Sequence, residues 1–97
     1  MQTIEIQLSK FGEVFSSRPE GREVALSIIA YHFDKKKYES IILDFKDVKI
    51  MTPSWLSEFM QSLKQHGVKN IGFKNETNAS VISSIEMVAE ENSSSVP

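Results

Sequence analysis

The stretch Ile41-Ile42-Leu43-Asp44-Phe45-Lys46-Asp47-Val48-Lys49-Ile50-Met51-Thr52-Pro53-Ser54-Trp55-Leu56 decides how this chain is read. Its first part, Ser40 to Phe45, is a short continuous apolar run closed by an acid. Such a run suits a central strand covered on both faces. Lys46 to Met51 reads as an irregular link that still offers Val48 and Ile50 to the core. Thr52 is then a good N-cap and Pro53 a favoured first helical residue. Trp55, Leu56, Phe59, Met60 and Leu63 recur at helical spacing opposite Ser57, Glu58, Gln61, Ser62 and Lys64. His66-Gly67 supplies the stop, with glycine suited to a left-handed position just past the helix. A buried strand, a link and an amphipathic helix make an α/β unit.

Upstream, Thr3 to Leu8 alternates, with Ile4, Ile6 and Leu8 on one side and Thr3, Glu5 and Gln7 on the other. Period two predicts a half-buried strand. Ser9-Lys10-Phe11-Gly12 offers a turn and Glu13-Val14-Phe15 a short returning strand, so a hairpin is expected. Ser17-Arg18-Pro19-Glu20 is a helix start: Ser17 caps, Pro19 fits the first turn, and Glu20 reaches back. The apolar stripe behind it, Gly21, Val24, Ala25, Ile28 and Ile29, carries the helix to about Phe33, with His32 at the stripe's edge. Downstream, Lys69 to Phe73 reads as a further strand, and Val81, Ile82, Ile85, Val88 and Ala89 mark a last helix. The expected fold is therefore α/β, a small mixed sheet of about four strands in the order β-β-α-β-α-β-α, with the later strands parallel. One domain is expected over residues 1–90, and 91–97, rich in serine and acid, as a frayed tail.

Composition narrows the function. The 97 residues are 40% hydrophobic and 25% charged, ordinary for a globular domain. A chain of this length holds one core but hardly a deep substrate cavity as well. It has no cysteine, which excludes a disulfide framework, a thiolate metal site and thiol catalysis. Net charge is −2, and Lys35-Lys36-Lys37 is the only basic run, which reads as a solvated loop, so no nucleic-acid partner is expected. The start carries neither a basic n-region nor an apolar h-region, and no run is long enough to span a bilayer. The expected location is therefore cytoplasmic, with no membrane partner. Three Asn-X-Ser/Thr triplets, beginning at Asn75, Asn78 and Asn92, then read as chance matches to a glycosylation motif.

Catalytic chemistry is sparsely supported. A nucleophile needs an adjacent base, and the two histidines, His32 and His66, sit on a helix face and at a helix end. No set of three or four metal ligands shows helical or hairpin spacing. Glycines 12, 21, 67 and 72 are scattered and form no phosphate-cradling loop. Asp44 and Asp47 are the one carboxylate pair, and they carry the alternative reading of a small enzyme or a nucleotide- or metal-binding domain. The main expectation is that the chain is not an enzyme and uses no cofactor or metal.

The quoted stretch resembles the signature of STAS domains, the sulfate-transporter and anti-sigma-antagonist family. There, a hydrophobic-hydrophobic-Leu-Asp strand is followed by a short loop, an apolar pair and Asp-Ser-Ser-Gly opening a helix. Here Ile41-Ile42-Leu43-Asp44 supplies the strand, and Thr52-Pro53-Ser54-Trp55 stands at the helix opening. Gly12-Glu13 matches the family's Gly-Glu before its first helix, and the order of elements agrees over most of the chain. Thr52 replaces the family's acid and Trp55 its glycine, which places the chain nearest the divergent STAS-like domains found beside histidine-kinase-type ATPase domains. The resemblance implies a regulatory protein-binding module that docks such an ATPase, or an anti-sigma-like partner, through the start of the second helix. It also implies that Ser54 aligns with the phospho-acceptor of the bacterial antagonists. A phosphate at the second residue of a helix meets unpaired N–H groups and the positive end of the helix dipole. The residues expected to meet the partner are Thr52, Pro53, Ser54, Trp55, Glu58, Arg18, Arg22 and Asp44. Trp55, at the start of an apolar stripe, suits a core position better than an exposed anchor, and Arg18 and Arg22 can instead form surface pairs with Glu20 or Glu23.

Overall fold

The structure is a computed structural model that describes the backbone of residues 2–94 and the side chains of residues 2–89. Two parallel sheets organise it. The larger is three-stranded, in the order β1 (Gln2–Gln7), β3 (Tyr38–Asp44), β5 (Asn70–Lys74). The smaller pairs β2 (Val14–Phe15) with β4 (Ile50–Met51). Three helices follow strands: α1 (Arg18–Tyr31) after β2, α2 (Pro53–Gln65) after β4 and α3 (Ala79–Ser94) after β5.

The α/β class stands, but the strands pair otherwise than expected. The hairpin does not form. Leu8–Phe11 makes a single 3-10 turn that buries Leu8. Gly12 then adopts φ 145°, a value open to glycine and strained for other residues. The chain leaves β1 there, and Val14-Phe15 runs parallel to Ile50-Met51, a segment expected to be irregular. The sheet is accordingly not one mixed sheet of about four strands, because every pairing among the described residues is parallel.

β3 does occupy the centre, with Ile41 and Leu43 fully buried between Ile4 and Ile6 of β1 and Ile71 and Phe73 of β5. Only that face is covered. On the other, Thr3, Glu5, Asn70 and Lys74 are exposed and Ile42 is half-buried. The expectation of two covered faces failed because the neighbouring strands alternate polar and apolar, so their polar side stays in water. Lys74 Nζ reaches Glu5 Oε1 at 3.1 Å across this open face.

α2 lies between α1 and α3 and packs against both, which widens its buried arc beyond the apolar stripe. Ser57 and Ser62, expected on the polar side, are therefore buried together with Trp55, Leu56, Phe59 and Leu63. α1 meets α2 at Gly21. A Cβ placed there would come within 2.5 Å of the Trp55 carbonyl oxygen, so only glycine allows this crossing.

α3 closes the smaller ladder. Asn78 Oδ1 accepts from Ser80 N at 2.8 Å and Val81 N at 3.4 Å, while its Nδ2 donates to the Lys49 carbonyl at 2.8 Å. Met51 N donates to Ser80 Oγ at 3.2 Å and the Met51 carbonyl accepts from Ser84 Oγ at 2.9 Å. Side-chain hydroxyls thus satisfy Met51 where a further strand would. The α3 backbone continues to Ser94. The rest of the expected tail, residues 95–97, lies outside the described residues.

Candidate functional site

The two strand-to-helix turns lie side by side. Phe15 leads through Ser16 and Ser17 into α1, and Met51 leads through Thr52 into α2. Each turn has a hydroxyl N-cap and a proline in the first helical turn. Thr52 ties them together: its N–H donates to the Phe15 carbonyl at 3.0 Å and its Oγ1 donates to the Ser16 carbonyl at 3.0 Å. The same Oγ1 accepts from Trp55 N at 3.3 Å, which caps α2 as expected. Ser17 Oγ accepts from Glu20 N at 3.3 Å, and Glu20 Oε2 accepts the Ser17 hydroxyl rather than reaching a backbone N–H.

Below the turns sits an aromatic stack. Trp55 is fully buried, its ring 4.5 Å from Phe15 and 4.7 Å from Phe59, nearly parallel to the latter. The structure therefore places Trp55 in the core, and it presents no surface to a partner. Its Nε1 has no hydrogen-bond partner among the described residues.

Two surface features adjoin the turns in sequence, an apolar step before them and a charged cleft between the helices that follow. Val14 and Ile50 are register partners in the small ladder, and each is about half exposed, 52% and 50%. Alternation explains the pair, because Phe15 and Met51 turn inward and so their neighbours must turn out. The cleft runs between α1 and α2, about 410 Å³, lined by Arg18, Pro19, Arg22, Glu23, Leu26 and Glu58. Arg18 Nη1 lies 3.7 Å from Glu58 Oε1, so its partner is on the neighbouring helix and not Glu20 or Glu23. Both side chains are part-exposed, and a pair of this kind contributes little stability. Ser54 is exposed one turn before Glu58 on the same side of α2. The fold thus brings Ser54, Glu58, Arg18 and Arg22 to one surface.

Asp44 does not join them. It is buried at the end of β3, where its Oδ1 accepts from Asn75 Nδ2 at 2.8 Å and Lys46 N at 3.0 Å. The Asn75 bond first, then the Lys46 N–H, hold its carboxyl below the usual carboxylate range. That arrangement ties the turn after β3 to the turn after β5, both built on left-handed residues, Asp47 at φ 67° and Asn75 at φ 59°. Asp47 is exposed in its turn. Among the described residues, no group of three His, Cys, Asp or Glu side chains is placed to hold a metal ion.

Val14, Ile50 and Gly21 were absent from the expected site. Nothing local marks Val14 and Ile50, because each lies in a two-residue strand too short to show periodicity. No protein-family model matches this chain, and neither a curated protein nor a solved structure matches it. No helix among the described residues is long and apolar enough to cross a membrane.

Proposed function

We propose that this chain is a non-catalytic docking module whose partner seats on the paired starts of α1 and α2. One observation carries the reading: Val14 and Ile50 form a half-exposed apolar step directly before two adjacent helix starts that are rimmed by Arg18, Arg22 and Glu58. An apolar centre beside a charged rim is the usual anatomy of a protein-binding patch. The partner class is the one the STAS resemblance implies, a histidine-kinase-type ATPase or anti-sigma-like protein. Ser54 is its regulatory point. A phosphate there adds roughly −1.5 to −2 charges beside Glu58, favoured by the helix start yet repelled by that carboxylate.

The test is site-specific photocrosslinking in the source cell. A photoreactive residue replacing Ser54 or Ile50 is expected to capture one protein with an ATPase domain, and the same residue at exposed Lys69 to capture none. Equal capture from all three positions would sink the proposal. With the partner in hand, Ser54→Asp is expected to weaken a pull-down and Ser54→Ala to leave it intact. Equal binding by both would remove the switch and keep the docking surface.

A further inference from the structure

A second surface, apart from the paired helix starts, lies along the outer side of β1. The strand order leaves β1 at the edge of the larger sheet. The register with β3 shifts between Gln2 and Thr3 and is regular from there to Gln7. Among the described residues, the backbone of Ile4 to Ile6 makes no hydrogen bond outside that ladder, while the Gln7 carbonyl is taken up by the 3-10 turn that it caps. A cleft of about 360 Å³ follows this edge, lined by the consecutive residues 4–7 together with Lys10, Phe11 and His32. Consecutive strand residues line a cleft only when it runs along the edge; one over a face would meet alternate residues. Its far wall is aromatic, with Phe11 set edge-on to the His32 ring at 6.0 Å.

Charge selects the occupant. Glu5 is the only carboxylate in the lining, and Lys74 Nζ holds both of its oxygens at 3.1 and 3.2 Å. Lys10 makes no ion pair among the described residues. The groove therefore offers free strand-edge backbone groups, an aromatic wall of Phe11 and His32, and one unneutralised cation. We infer that β1 accepts an extended peptide segment as an added strand, with apolar side chains toward Phe11 and an acidic side chain toward Lys10. Main-chain pairing supplies the affinity of such additions, and the alternate side chains supply the choice.

The probe is a blocked peptide of alternating valine and threonine with a central aspartate, titrated into the isotope-labelled full chain while amide resonances are followed. Saturable shifts are expected at Ile4 to Gln7 and Lys10, and not at Val14 or Ile50. Replacing the aspartate by lysine should weaken binding about threefold to tenfold, and Lys10→Glu should reverse that preference. A peptide N-methylated at alternate residues should fail to bind, because strand addition needs its backbone donors. Binding unchanged by N-methylation, shifts centred on Val14 and Ile50, or no saturable binding at millimolar peptide would each overturn the inference. So would concentration-dependent shifts of β1 without peptide, which would assign the edge to a second copy of the chain.

Discussion

The starts of α1 and α2 use the same local chemistry and end with opposite fates. Both have a hydroxyl cap and an early proline. At α1, Ser17, Arg18, Pro19 and Glu20 are all exposed, and the cap's contacts stay within its own turn. At α2, the Thr52 hydroxyl also bridges to Ser16, and the third helical residue is the fully buried Trp55. A cap motif sets where a helix begins, while the residue that follows it decides whether the start is a surface or a foundation.

That contrast can be broken from the α2 side first. Trp55→Ala would empty the space between Phe15 and Phe59, and a loss of about 4 kcal/mol in urea unfolding is expected. Gly21→Ala comes next. The clash with the Trp55 carbonyl costs about 3 kcal/mol as overpacking, offset by about 1 kcal/mol of helix propensity, for a net loss of about 2 kcal/mol by the same assay. A stabilised Gly21→Ala variant would show that the helices do not cross as closely as described.

The caps themselves sharpen the comparison. Thr52→Ala removes a cap and a bridge, together about 2 kcal/mol, whereas Ser17→Ala removes an exposed cap alone, about 0.5 kcal/mol. Equal losses in denaturant midpoint would mean that the bridge to Ser16 contributes nothing.

A pH titration checks the turn network that lies apart from both starts. The Asp44 carboxyl pKa is depressed in the folded chain, so its contribution is fully present above the ordinary carboxyl value of the unfolded chain and is lost as pH falls through the lower folded value. Asp44→Asn should flatten that part of the acid limb of the stability curve and change little of its shape at neutral pH. The smallest effect is expected from Ser54→Asp, within about 0.5 kcal/mol, because the side chain is exposed and the helix start favours the charge. A large loss there would place Ser54 in the foundation with Trp55.

Much of this was legible in the chain. Alternation located β1, the apolar run located β3, and the caps at Ser17 and Thr52 fell where the helices begin. Strand pairing was not legible, because two-residue strands such as Val14-Phe15 and Ile50-Met51 carry too little periodicity to show what they pair with. At the candidate site, Arg18, Arg22, Ser54 and Glu58 were foreseeable from helix faces. The apolar step was not, since Ile50 reads as core until the inward turn of Met51 is known.

The sequence by itself determined the longer strands and helices, the starts of α1 and α2 and the interior aromatic stripe of α2, because these follow from spacing and capping within a few residues. Tertiary structure alone decided that two remote turns lie side by side, that Trp55 is walled in by Phe15, and that Asp44 serves a turn and not the site. The reason is physical. Local rules fix a residue's face and its backbone angles, but whether that face meets water depends on which distant segment packs against it.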